Sequence, residues 1–249
     1  MVYIRSLLYN VFGFTTVCIA AAVVVLTFWA PFRFHWAITV GWCRLAMWGA
    51  KFFCGIHIVV EGRENLPDVP SVLMIKHTST METLWQVTAF PRTTWVLKRE
   101  ITWAPIVGWA IGLALRPIAI DRSGGASAVK QVIRQGKQKL AEGRWVTIFP
   151  EGTRMAPGQT RRYGVSGAAL ARDAGAPIVP VAHNACDLWT RRSFAKYPGT
   201  VRFCIGPAVD ATTQNPKETN LIVQEWIESK MREISVAYKN KSNGSSSTG

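Results

Sequence analysis

No charged residue occurs between Arg5 and Arg33, and so long an uncharged run leaves a chain few ways to fold. Its centre, Cys18-Ile19-Ala20-Ala21-Ala22-Val23-Val24-Val25-Leu26, is apolar on every helical face, and the run is long enough to cross a bilayer. It exceeds the apolar core of a signal peptide. It also leads into Phe28-Trp29-Ala30-Pro31-Phe32-Arg33, an aromatic and basic belt where a signal peptide would carry small residues for cleavage. The stretch therefore reads as a retained anchor. The next piece, Phe34 to Gly55, holds Trp36, Trp42, Trp48, Phe52 and Phe53 with only Arg44 and Lys51 charged, and reads as a second helix lying in the membrane interface. Residues 1–55 are thus expected to form a membrane-associated helical pair that spans the bilayer or dips into one leaflet. Basic residues crowd the C-terminal side of the first helix while Arg5 stands almost alone before it, which puts the remainder on the cytoplasmic face.

A formal charge of +14 points to a polyanionic partner. The 11 tryptophans and the 49% hydrophobic content favour a membrane over nucleic acid, because the aromatics gather near the N-terminus and do not interleave with the basic residues as a stacking platform would. The five cysteines are scattered, with no Cys-x-x-Cys pair and no His at ligand spacing, and read as reduced, packed thiols. No metal is implied.

From residue 56 the texture changes to short apolar runs alternating with amphipathic stretches, an α/β pattern. Strands are expected at Ile56–Val60, Ser71–Ile75, Thr94–Leu97, Pro117–Ile120, Val146–Phe149, Ile178–Val181 and Val201–Ile205. Helices are expected at Glu82–Thr88, Ile106–Gly112, Ser127–Glu142, Val165–Ala174 and Pro216–Tyr238. The α/β domain would run over 56–239, and the Ser/Gly/Asn-rich residues 240–249 would be a disordered tail.

Three strand ends carry the chemistry. After Pro70–Ile75 comes Lys76-His77-Thr78-Ser79-Thr80-Met81-Glu82. On a continuous helix His77 and Glu82 would stand about 140° apart, so they meet only if the chain turns between them. Thr78, Ser79 and Thr80 are suited to capping such a turn. A carboxylate on one imidazole nitrogen would fix the tautomer and leave the other nitrogen to take a proton. Strand 146–149 runs into Pro150-Glu151-Gly152-Thr153-Arg154, a glycine-containing turn that lets backbone approach an anion and ends in a guanidinium suited to phosphate. Ile118–Ile120 delivers Arg122 in the same way. His35 and His57 read as structural, His183 as a residue that could line the cleft. Arg161, Arg162, Arg191, Arg192 and Lys196 are candidates for contact with anionic headgroups or with the phosphates of a substrate.

Taken together, these residues resemble the glycerophospholipid acyltransferase family, and within it the bacterial 1-acylglycerol-3-phosphate acyltransferases. The likeness runs from about Pro70 to Val181 in four blocks: Lys76-His77 through Glu82; Lys98-Arg99-Glu100 through Pro105 and Gly108 to Ile120-Asp121-Arg122; Phe149-Pro150-Glu151-Gly152-Thr153-Arg154; and Val179-Pro180-Val181. Two positions depart from the family pattern. Glu82 stands where the family usually has Asp, and Lys76 where it has Asn. The resemblance implies a mixed sheet flanked by helices. It also implies acyl transfer, from acyl-CoA or acyl-carrier protein as co-substrate, to the sn-2 hydroxyl of lysophosphatidic acid, at a bacterial inner membrane and with no resident cofactor. His77 would be the general base oriented by Glu82, Lys98, Arg122 and Arg154 would hold the acceptor phosphate, and Glu151, Gly152 and Thr153 would shape the turn beside it. Alternatives are another lysolipid acceptor, or a thioesterase in which His77 activates water.

Overall fold

A computed structural model describes residues 1–121 and 124–239. The helices are α1 (Val2–Leu26), α2 (Phe32–Cys54), α3 (Met81–Ala89), α4 (Val107–Leu115), α5 (Ala126–Ala141), α6 (Ser166–Ala174), α7 (Ala185–Leu188) and α8 (Pro216–Ile234). The strands are β1 (Ile56–Glu61), β2 (Val72–Ile75), β3 (Thr93–Lys98), β4 (Ile118–Ile120), β5 (Trp145–Ile148), β6 (Ile178–His183) and β7 (Gly199–Ile205). Every strand expected from the sequence is present with small shifts at its ends. The short α7 and two short 3-10 segments, Arg63–Asn65 and Arg99–Trp103, had no periodic signal to announce them. The helix expected over 216–238 stops at Ile234, where Ser235 becomes extended and its hydroxyl donates to Asp187 at 2.7 Å.

The strands join in one mixed sheet of order β1-β7-β6-β2-β5-β3-β4, parallel except where β7 meets β6. Because β2, β3, β5 and β6 run the same way, their carboxyl ends lie along one edge, the place where open α/β sheets bind ligands. β2 is the central strand and is wholly buried. Val72 and Met74 face a core shared with α5, α6 and α8, while Leu73 and Ile75 face a second core shared with α3 and the end of α2. That period-2 split is what a strand covered on both faces requires. Each such side chain contributes roughly 1.5–3 kcal/mol by leaving water.

Helix ends follow local chemistry. Asn215 caps α8, its side chain accepting from the amides of Lys217 and Glu218 at 3.0 Å each, with Pro216 in the first turn. α2 ends at Gly55, whose φ of 69° is in the left-handed region. α1 is long and apolar enough to cross a membrane, the one such helix among the described residues. α2 instead packs one face, including Cys43, Ala46 and Ala50, inward and leaves Trp48 and Phe52 exposed. The two helices cross closely at Gly49, where a Cβ would stand 2.6 Å from the Phe12 ring.

Candidate active site

β2 delivers Lys76 and His77 at the carboxyl edge of the sheet, and the chain turns at once into α3. Ser79 makes that turn possible: its hydroxyl accepts from the Met81 amide at 3.1 Å and donates to the Trp189 carbonyl at 2.6 Å. The Ser79 amide in turn donates to Glu82 Oε2 at 3.0 Å and lies 3.2 Å from Oε1. The Glu82 carboxylate is thereby brought back over the turn, and its Oε1 lies 2.8 Å from His77 Nδ1. Glu82 is fully buried, which would raise its carboxyl pKa. The hydrogen bond to His77 and the nearby His183 and His77 rings outweigh that and hold it below the usual range. An ionised carboxylate only accepts, so Nδ1 carries a hydrogen toward it, and in the neutral imidazole Nε2 keeps its lone pair. The other face of the imidazole stacks on Phe149, with ring centroids 3.9 Å apart.

β5 lies beside β2, and so the turn after it lies beside His77. Gly152 donates to the Phe149 carbonyl at 2.9 Å, closing a turn with Pro150 at its second position. Gly152 has φ 70°, which other residues rarely adopt. The Met155 amide donates to the His77 carbonyl at 2.7 Å, which ties the two turns together. Thr153 is exposed on this turn. Arg154 lines the same cavity as His77, and its buried Nε has no hydrogen-bond partner among the described residues. Its carbonyl accepts from the Arg191 guanidinium, so a second arginine reaches this turn.

The cavity has a volume of about 450 Å³, in the range of small-ligand sites. Its walls are almost wholly apolar and come from far-separated parts of the chain: Ala21 and Val24 of α1, Ile38 and Trp42 of α2, and Val107 and Ile111 of α4, with Trp95 to Leu97 of β3 beside them. One end therefore presents an imidazole and a guanidinium, and the rest suits a hydrocarbon chain.

Not every residue singled out in the sequence comes to this cavity. Lys98 is half-exposed at the end of β3, pairs with Glu100 at 3.1 Å and is not part of the lining. Glu151 is wholly buried, its Oε1 lying 2.9 Å from Lys76 Nζ, so its carboxylate anchors the turn from beneath and does not face the cavity. Arg122 and the tail 240–249 lie outside the described residues. Lys196, read from the sequence as a surface cation, is buried under α1: its ammonium donates to Asn10 Oδ1 at 2.6 Å and sits 4.9 Å from the Trp189 ring centroid.

Two residues matter more than their sequence setting suggested. Lys76 is completely buried, and its ammonium donates to Glu228 Oε1 at 2.6 Å as well as facing Glu151. His183, at the end of β6, is also buried. Its Nε2 lies 2.8 Å from the Lys76 carbonyl and 3.8 Å from Glu82 Oε2, and its Nδ1 accepts from the Ala185 amide at 3.3 Å. Burial lowers its pKa, and the ring stands as a buttress behind the His77–Glu82 pair and not as part of the cavity wall. Both depend on the sheet order, which sets β6 and β5 on either side of β2. The available signal was a lysine and a histidine that each follow an apolar strand run.

Comparison with known proteins gives a consistent answer. The family described as Acyltransferase matches residues 57–184. A 1-acyl-sn-glycerol-3-phosphate acyltransferase of Pseudomonas aeruginosa is 44% identical over 214 residues, covering 85% of this chain and 82% of that one. The mouse 1-acyl-sn-glycerol-3-phosphate acyltransferase alpha is 32% identical over 140 residues, 55% of this chain and 49% of its own. The crystal structure of the 1-acyl-sn-glycerophosphate acyltransferase of Thermotoga maritima superposes with a TM-score of 0.75 over 94% of this chain and 97% of that one. At 21% identity that likeness concerns the fold.

Proposed function

Because this chain belongs to the acyltransferase family, among the 1-acyl-sn-glycerol-3-phosphate acyltransferases, we propose that it moves a fatty acyl group from a thioester to the sn-2 hydroxyl of lysophosphatidic acid, giving phosphatidic acid. The observation that carries the reading is the His77–Glu82 hydrogen bond of 2.8 Å opening onto a cavity that Arg154 shares. His77 Nε2 takes the acceptor's hydroxyl proton as its oxygen attacks the thioester carbonyl. Glu82 stabilises the imidazolium that forms. Collapse of the tetrahedral adduct breaks the carbon–sulfur bond, and the departing thiolate recovers the proton from His77. No acyl-enzyme is needed.

Arg154 holds the acceptor phosphate through a guanidinium whose Nε is otherwise unpartnered. Gly152 and Thr153 supply the turn that aims it. Fixing the acceptor in this way turns a bimolecular attack into a near-unimolecular one, worth roughly 7 kcal/mol or more. The apolar cavity takes the fatty chain. The donor is acyl-CoA or acyl-carrier protein, bound as co-substrate and not as a resident cofactor. α1 anchors the enzyme to a bacterial inner membrane with the sheet on the cytoplasmic side, so neither lipid has to leave the bilayer.

The test is transfer from radiolabelled acyl-CoA to lysophosphatidic acid in mixed micelles, with His77→Ala and Arg154→Ala compared with wild type. Loss of the base is expected to cost about a hundredfold or more in rate. Phosphatidic acid formation by wild type and failure of both variants support the roles given. Acylation of a different lysolipid alone would replace the acceptor, and release of free fatty acid without any acceptor would replace the reaction.

A further inference from the structure

α4 reads Val107-Gly108-Trp109-Ala110-Ile111-Gly112-Leu113-Ala114-Leu115, without one charged or hydrogen-bonding side chain apart from the indole N–H. A helix apolar on every face is ordinarily sealed inside a protein or a membrane. The inner face of α4 is sealed, with Ala110 and Ala114 packed on Ala21 and Val24 of α1. The outer face is open: Trp109 is 51% exposed, and the turn leading into the helix adds Trp103 at 63% and Ile106 at 47%. Ile101 and Val107, from the same segment, line the cavity that holds His77, so the exposed patch forms part of its rim.

The surroundings say what covers this patch. α4 packs directly on α1, the helix long and apolar enough to cross a membrane, which itself exposes Ile19 and Leu26. Tryptophan is enriched where protein meets the headgroup level of a bilayer. Residues 92–116 carry four basic side chains, Arg92, Lys98, Arg99 and Arg116, against one acid, Glu100, a balance that favours an anionic lipid surface. We infer that the segment 101–109 is a second membrane-insertion point, with Trp103, Ile106 and Trp109 entering the interface of the same leaflet that α1 meets. The cavity rim then opens into lipid and not into water. The inference rests on the proposed function in one respect, that the acceptor reaches the cavity laterally from the bilayer.

Insertion can be read without turnover. A fluorophore is placed at Trp103→Cys in a Cys18→Ser background, the other cysteines being buried, and the full chain is reconstituted into phosphatidylcholine–phosphatidylglycerol vesicles. A second label at Lys217→Cys, on the exposed start of α8, is the reference. The label at 103 is expected to be shielded at least fivefold from aqueous iodide relative to 217 and quenched by nitroxides on the lipid acyl chains. Equal iodide access at both positions overturns the inference. So does shielding at 103 without acyl-chain quenching, because a second copy of the chain would then cover the patch. The Trp103→Ser/Trp109→Ser variant should raise KM about tenfold for acceptor presented in vesicles, with kcat on a water-soluble short-chain acceptor unchanged. A wild type inactive on lysophosphatidic acid would remove the proposed acceptor, while the label would still decide insertion.

Discussion

Lys76 is completely buried, and two glutamate side chains meet its ammonium. Glu151 from the turn after β5 and Glu228 from α8 lie 2.9 and 2.6 Å away, and the Tyr163 hydroxyl donates to Glu228 at 2.7 Å. The ion cluster ties the residue before His77 to the turn that carries Arg154. Lys76→Met leaves both glutamates buried without their cation, and breaking a buried pair in this way costs about 3–5 kcal/mol. Denaturant melts of the detergent-solubilised variant should show that loss, with part of it recovered in Lys76→Met/Glu151→Gln. An unchanged midpoint would remove Lys76 from the structural account. Burial, opposed by Lys76 and reinforced by Glu228, raises the Glu151 carboxyl from 4.5 to about 7. Across that window the folded protein keeps a proton that the unfolded chain has released, so this contribution is fully present below pH 4.5 and is lost as pH rises through about 7. The stability difference between wild type and Glu151→Gln should therefore change with pH over that range. A pH-independent difference would show that Glu151 does not titrate there.

At the scale of elements, the two N-terminal helices are walls of the cavity as well as the anchor proposed above. α1 is held at its start by Ser6, whose hydroxyl accepts from the Lys196 amide at 2.9 Å, and at its middle by contacts with α2 and α4. Gly49 allows the crossing with α2, and a Val there would push a Cβ against Phe12. Gly49→Val is expected to destabilise the hairpin by about 1–3 kcal/mol, as overpacking does, and to lower activity by displacing Trp42 and Cys43, which lie on the same helix and line the cavity. Thermal unfolding and an activity assay on the same preparation check both. Wild-type stability in the variant would mean that the hairpin yields at no cost.

For the whole molecule, a net charge of +14 and a long apolar helix attract a membrane by different physics. Raising ionic strength from about 0.1 to 1 M shortens the screening length from about 10 to 3 Å. Binding to anionic vesicles should accordingly weaken severalfold toward a salt-insensitive remainder supplied by the apolar surface. Vesicle sedimentation across a salt series measures this, and binding that vanishes altogether would deny α1 its anchoring part. From the sequence by itself came the seven strands, since each is a short apolar run bounded by polar turns. The same holds for the long apolar run of α1 and for the residue types at the ends of β2 and β5, because these features are local and periodic. The meeting of His77 with Glu82 was legible only as a condition, that the chain turn between them. The amide and hydroxyl of Ser79 meet it in the folded chain. Only tertiary structure decided which strands are neighbours, and with that the burial of Glu151 against Lys76, the place of His183 behind Glu82, and the removal of Lys98 from the cavity. Those outcomes depend on contacts between residues up to 152 positions apart, as from Lys76 to Glu228, and no local pattern encodes the partner of a buried charge.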